Sequence, residues 1–265
     1  MMNGAKGFLI MLSLYTRIPL PMIEWDSDRL RNSLCFLPFA GAVTGLAQTA
    51  LFLAAAWAGL SPLFFAGGAC AVMIMITGGI HMDGFADTMD ARSSYGSREK
   101  KQAILEDPHT GAFAVTWTCL YMILLFVCMY ELCSLSRMDG GWPHFPLAMT
   151  AVLMLSRALT VMAIRLTPAA RQEGMLYSVI SCADRRVMLV MSAAFMLACT
   201  IGLVLAAGPA GLVFIPEQVI LLIYFRRTAI REFGGISGDL CGWLIQTSEL
   251  VLFITMAVIV RLAAG

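Results

Sequence analysis

Seven blocks of apolar residues punctuate the chain, roughly 33–58, 62–80, 113–135, 145–164, 187–206, 212–225 and 240–262. Each is near the length of about 20 residues that a helix needs to cross the hydrocarbon core of a bilayer. The sixth block is the shortest and carries Pro216 and Glu217, so its limits are the least sharply marked. Ahead of the first block, Met1 to Pro21 has one Lys and a short apolar run. The Thr16-Arg-Ile-Pro-Leu-Pro21 segment that ends it is not a small-residue cleavage site, which predicts a short interfacial or re-entrant helix kept in the mature protein. The expected fold class is all-α: a polytopic bundle of about seven transmembrane helices plus this N-terminal helix, forming one membrane-embedded domain over 1–265.

Composition agrees with that pattern. Hydrophobic residues make up 59% and charged residues 13% of the chain, with a mean hydropathy of +0.80. Soluble domains carry about a quarter charged residues, so an ordinary soluble protein is excluded. The eight cysteines lie mostly within apolar blocks without CxxC or His/Cys pairing, as packing residues in a reducing compartment do. No internal repeat is evident, which disfavours the common repeat-built transporters.

Charge sets the topology. Fifteen of the eighteen Lys and Arg residues fall in four segments: before the first block, then between the second and third, the fourth and fifth, and the sixth and seventh. By the positive-inside rule these face the cytoplasm and the C-terminus lies outside. Loops 81–112, 165–186 and 226–240 then form one cytoplasmic active face.

Six of the seventeen acidic residues lie within or just after the stretch Thr77-Gly-Gly-Ile-His-Met-Asp-Gly-Phe-Ala-Asp-Thr-Met-Asp90: Asp83, Asp87, Asp90, Glu99, Glu106 and Asp107. Asp83, Asp87 and Asp90 stand at i, i+4 and i+7, one face of a helix. Three carboxylates there repel one another unless a hard cation sits among them, and Mg²⁺ takes one or two carboxylates together with substrate phosphates. Gly78, Gly79 and Gly84 leave room for a ligand or a neighbouring backbone. A solvated acidic helix end is the plain alternative. His81 projects about 200° from Asp83 on a helical wheel, hence away from the carboxylates, as a packing residue would.

Asp107-Pro108 reads as the cap and first turn of the third span, at the membrane face of the acidic cluster. Arg92 is near enough in sequence to hold a phosphate, although a basic connector is also the ordinary positive-inside signal. Arg157 and Glu249 lie inside spans, where a charge needs a partner or a pathway. Arg171, on the cytoplasmic side after the fourth span, could pair with an anionic substrate. Gly234-Gly-Ile-Ser-Gly-Asp239 ahead of the last span is a glycine-rich turn at a helix N-terminus, suited to phosphate. Acidic ligands, glycine turns and arginines on one face are equipment for phosphoryl transfer.

These motifs resemble those of the cobalamin synthase family, adenosylcobinamide-GDP ribazoletransferase. The 77–90 stretch is similar to the family's Gly-Gly-x-His-x-Asp-Gly-x-x-Asp-x-x-Asp signature, and Asp107-Pro-His-Thr-Gly-Ala-Phe113 to its Asp-Pro-x-x-Gly-Ala-Phe element. Thr16 to Pro21, Pro38 to Gly41 with Gly45, Ser156-Arg157, Ala170-Arg171 with Glu173-Gly174, and Gly234 to Asp239 with Glu249 extend the likeness over nearly the whole chain. Ala91, Ala114 and Ser237 depart from the usual Gly, Gly and Thr without removing a charge.

The resemblance implies a Mg²⁺-dependent enzyme of the bacterial cytoplasmic (inner) membrane, acting in the last stage of vitamin B12 biosynthesis. It would join adenosylcobinamide-GDP to α-ribazole, or its 5′-phosphate, and release GMP. Asp83, Asp87, Asp90 and Asp107 would be the catalytic and metal-holding carboxylates. Arg17, His81, Arg92, Arg157, Arg171, Gly238, Asp239 and Glu249 would be candidates for substrate binding. Its partners would be these two small molecules and the lipid bilayer, with no nucleic acid; self-association stays open. Two alternatives compete. A CDP-alcohol phosphotransferase has an Asp-Gly motif, but places Ala-Arg where Ala86 is followed by Asp87. An ion-coupled transporter would need Glu131, Arg157, Glu217 and Glu249 to meet near the midplane.

Overall fold

The computed structural model describes residues 2–21, 30–138 and 141–264, and among them every regular element is a helix. In chain order these are α1 (Met2–Tyr15), a 3₁₀ turn at Ser33–Phe36, α2 (Leu37–Trp57), α3 (Pro62–Thr77), α4 (Ile80–Ser93), α5 (Arg98–Leu105) and α6 (Ala112–Arg137). Then follow α7 (Phe145–Leu166), α8 (Met175–Cys182), α9 (Arg185–Ala207), a second 3₁₀ turn at Gly208–Val213, α10 (Phe214–Phe233) and α11 (Gly238–Ala264). Arg29, counted above among the basic residues, lies outside the described residues.

Five helical stretches are long and apolar enough to cross a membrane, six when the bent pair α3–α4 counts as one. One of the five is the 49-residue stretch Arg185–Phe233. At about 1.5 Å per residue it would be roughly 74 Å long, more than twice a bilayer core. It instead reverses at Gly208, whose φ of +65° is a conformation that favours glycine. Beyond the turn, Gln218 of α10 donates to Thr200 of α9 at 2.9 Å, as only a folded-back hairpin allows. Counting α9 and α10 separately is compatible with the seven that the apolar blocks predict, in a multi-pass membrane protein. Pro216 sits in the first turn of α10, where a missing N–H costs nothing.

The bundle centres on α7. Most of its residues are buried, including Leu153, Leu155, Leu159 and Val161 at 0% exposure, whereas α6 and α9 turn Val115, Ile123, Val190 and Leu205 outward. An apolar outer surface of this kind suits lipid. Close packing around α7 is made by glycine: a Cβ at Gly41 or Gly45 of α2 would strike the α7 backbone at Leu153 or Thr150. All eight cysteines are free.

The four basic segments come together at one end. Pro168 and Ala170 exchange backbone hydrogen bonds with Ile236, joining the segment after α7 to the one before α11. Arg98 and Gln102 of α5 donate to the carbonyls of Ile230, Arg231 and Phe233 in the last turn of α10, where carbonyls run out of helical donors. Asp184, the N-cap of α9, receives the N–H groups of Arg186 and Val187 on its carboxylate and donates its own N–H to Asn32. Arg137 marks the opposite end, donating to Leu60 and Phe52 carbonyls.

The acidic stretch does not continue α3. Gly78 and Gly79 adopt φ of +63° and +79°, two successive left-handed residues that end α3 and start α4 at an angle of 96°. α4 is thereby turned under the bundle and wedged between α6 and α11. Its contact with α11 is backbone on backbone: a Cβ at Gly84 would lie 2.8 Å from the Asp239 Cα, and one at Gly242 would lie 2.8 Å from the His81 carbonyl oxygen. Gly84→Ala is therefore expected to lower stability by about 1–3 kcal/mol, the usual cost of overpacking. A melting temperature in detergent equal to that of the wild type would contradict this close approach.

Candidate active site

Three cavities line up along α4 and the N-terminus of α11. The largest, about 830 Å³, is bordered by Arg17, Thr77, Gly78, Asp83, Thr110 and Thr118. The second, about 170 Å³, lies deeper, among Tyr15, His81, Asp83, Thr160, Asp239 and Gly242. The third, about 250 Å³, opens among Glu106, Arg171, Glu173, Gly174, Gly238 and Asp239. Asp83 borders the first and second, and Asp239 the second and third, so the two carboxylates stand between neighbouring cavities of the row.

Why these side chains meet follows from local structure. Arg17 leaves the end of α1 and is tied down by its backbone N–H to the Ile76 carbonyl at 2.7 Å, and its side chain lies against Gly78. Gly84 admits the backbone of Asp239 to α4. Asp83, Asp239 and Asp90 then all act electrostatically on Asp87. Asp83, Asp87 and Asp239 have no ion-pair partner among the described residues.

Asp90 is used differently. Its carboxylate packs on Gly111 and accepts from the Ala114 N–H at 3.4 Å, serving the N-terminus of α6. This alters the expected start of the third span. α6 begins at Ala112 with Gly111 as its N-cap, not at Pro108, and Asp107 turns outward to bond the N–H and ring of His109 at 2.9 and 2.6 Å. Those hydrogen bonds hold the Asp107 carboxyl below the usual carboxylate range. Asp107 is exposed and borders none of the three cavities.

Other sequence candidates divide in the same way. Arg171 borders the third cavity, where it forms an ion pair with Glu106. Arg92 lies outside the row, 3.5 Å from Glu232 and with its guanidinium 4.7 Å from the Trp243 ring centroid. It borders a separate groove of about 630 Å³.

Arg157 and Glu249 are 1% and 0% exposed and form an ion pair with each other between α7 and α11. Ser156 donates to Glu249 at 3.4 Å, and Tyr121 donates to Gln246 at 3.0 Å and Glu249 at 3.5 Å. Glu217 is taken up elsewhere, by Thr255 at 2.8 Å, so the intramembrane charges do not assemble into the single midplane site a transporter reading needs. Residues bordering the row that sequence reasoning missed include Glu106, Tyr15 and Thr160. Glu106 carried a signal, since it stands beside the Asp107-Pro108 motif; Tyr15 and Thr160 meet α4 only through tertiary packing.

Among the described residues no three His, Cys, Asp or Glu side chains are disposed to hold a metal ion by themselves. The donor set nevertheless suits Mg²⁺, which is commonly bound by one or two carboxylates plus substrate phosphate oxygens and not by an all-protein cage. Asp83, which borders the cavity with Arg17, and Asp87, one helical turn on and within its electrostatic reach, have no ion-pair partner among the described residues and offer such a pair.

The chain matches the family model described as cobalamin-5-phosphate synthase over residues 7–257. A relative from Lachnoclostridium phytofermentans, named adenosylcobinamide-GDP ribazoletransferase, is 31% identical over 94% of this chain and 92% of its own. Relatives of the same name from Geobacillus kaustophilus and Clostridium botulinum are 30% and 28% identical, over 96% and 95% of this chain and 95% and 96% of theirs. No solved structure matches the chain. Alike in sequence along nearly its entire length, the chain belongs to the cobalamin-5-phosphate synthase family.

Proposed function

We propose that this protein is an adenosylcobinamide-GDP ribazoletransferase that joins adenosylcobinamide-GDP to α-ribazole, or its 5′-phosphate, and releases GMP at the cytoplasmic face of a bacterial inner membrane. The observation that carries the reading is the row of cavities joined through Asp83 and Asp239. It offers a basic end at Arg17, an acidic centre without cation partners among the described residues, and at the far end Arg171 paired with Glu106.

A hydroxyl oxygen of the ribazole attacks the phosphorus on the cobinamide side of the diphosphate. A new O–P bond forms, the bond from that phosphorus to the GMP oxygen breaks, and the hydroxyl proton is released. Mg²⁺, held by Asp83 and Asp87, would supply neutralisation of the diphosphate charge. Arg17 draws the diphosphate against the Gly78-Gly79 turn. Arg171, paired with Glu106, would offer its guanidinium to an anionic group at the other end.

Purified protein in detergent with Mg²⁺, adenosylcobinamide-GDP and α-ribazole is expected to release GMP, and excess EDTA is expected to stop it with recovery on added Mg²⁺. Release of no GMP under a range of divalent metals would overturn the assignment.

A further inference from the structure

His81 is 3% exposed, and neither of its ring nitrogens has a hydrogen-bond partner among the described residues. Its ring is stacked on Tyr15, with centroids 5.6 Å apart and planes at 24°, and it borders the chamber of about 170 Å³ between Asp83 and Asp239. An orphaned donor and acceptor in an otherwise well-packed bundle are costly, on the order of 1–3 kcal/mol for each unmade bond. A site that keeps them so is built to complete those bonds with something else. The chamber volume is over ten times the about 10–15 Å³ that admits one water.

The chemistry of the lining selects the ligand. Two carboxylates accept and do not donate; a neutral imidazole donates once and accepts once; the Thr160 hydroxyl donates to the Ser156 carbonyl at 2.9 Å and is left to accept. An anion would be repelled by Asp83 and Asp239, and an apolar group would leave His81 unsatisfied. A neutral group with several hydroxyls suits these polar groups, and the apolar ring face of a sugar suits the Leu34, Ile164 and Val179 side chains that share the lining.

We infer that this chamber binds the sugar of the nucleoside acceptor, with the His81 imidazole hydrogen-bonded to a sugar hydroxyl and Asp83 and Asp239 accepting from its neighbours. The inference rests on the transferase reading and assigns the acceptor's position within it. The sugar then lies beside Asp83, whose other side borders the large cavity where Arg17 draws the diphosphate. His81 is thus a substrate-binding residue for the acceptor alone.

The test is calorimetric binding of α-ribazole to the full chain in nanodiscs, without corrinoid, together with steady-state GMP release. Wild type is expected to bind α-ribazole. His81→Ala should weaken that binding, and raise the ribazole KM, about tenfold, the worth of one or two hydrogen bonds. Its affinity for adenosylcobinamide-GDP should stay within about twofold. His81→Gln, which keeps a donor and an acceptor, should recover part of the loss.

An analogue lacking one ribose hydroxyl should bind wild type about tenfold more weakly, yet lose little further affinity on His81→Ala. Unchanged ribazole binding in a folded His81→Ala would overturn the inference. So would equal binding of every deoxy analogue and α-ribazole to wild type, a comparison that needs no variant. If wild type makes no GMP, the transferase reading fails; if it makes GMP while the ribazole KM ignores His81, the chamber assignment fails alone.

Discussion

Asp83→Asn is expected to reduce GMP release about a thousandfold while leaving the protein folded and inserted. Asp83 is exposed and unpaired among the described residues, so the nearly isosteric amide disturbs no packing. What it removes is a charge at the join of two cavities. If that charge holds Mg²⁺ against the diphosphate, its loss costs several kcal/mol of transition-state stabilisation, and each 1.36 kcal/mol is a factor of ten. Asp90 supplies the contrast. Its carboxylate serves the start of α6, and Asn at that position still offers an oxygen to the Ala114 N–H, so Asp90→Asn should keep the melting temperature and lose less activity than Asp83→Asn. Asp90→Ala should instead lose about 1 kcal/mol of stability, as removal of a cap does. Initial-rate assays beside thermal melts separate the two roles; more than a tenth of wild-type turnover in Asp83→Asn would remove it from the reaction.

The sequence made the helices easy to find, because a span is a local property: about 20 apolar residues announce themselves. Their number was harder to observe in the folded chain than to predict, since α9 and α10 run together through a 3₁₀ turn and only the Gln218–Thr200 bond marks the reversal. The Gly78-Gly79 pair was legible as space. Its actual service, two left-handed residues that turn α4 by 96°, required knowing that the chain bends there.

Site residues were legible to the extent that helical spacing alone arranges them. Asp83 and Asp87 share a neighbourhood, and Asp239 joins them because Gly84 and Gly242 let two backbones touch. The helical wheel turned His81 away from Asp83, yet both border one chamber. The first turn of α4 is enclosed by Tyr15 of α1, Thr160 of α7 and Asp239 of α11, so a cavity wraps around it instead of lying on one side. Arg92 was drawn to the carboxylates by closeness in sequence and Asp107 by its place at the same membrane face; Glu232 with Trp243, and His109, take up their side chains.

Breaking the Arg157–Glu249 pair is expected to have the largest effect on stability. Both side chains are buried, and Arg157 donates as well to the Leu153 carbonyl at 3.0 Å and to Ser156 at 2.9 Å. Arg157→Ala leaves the Glu249 carboxylate buried without its counter-charge, a change worth about 3–5 kcal/mol out of a total stability of about 5–15 kcal/mol. Glu249→Gln leaves an unpaired guanidinium and should cost a similar amount. The double variant Arg157→Met with Glu249→Gln removes both charges, and Gln can still bond Tyr121 and Ser156, so it should recover most of the loss in thermal melts. Activity then tells structure from chemistry. Glu249 stands ten residues beyond Asp239 on α11, about 15 Å along a helix, too far for its carboxylate to reach a group held at that N-terminus. A refolded double variant should therefore release GMP within about tenfold of wild type. If the fold returns and turnover does not, falling by a hundredfold or more, the pair handles substrate as well as joining α7 to α11, and the central chamber extends deeper into the bundle than its lining residues indicate.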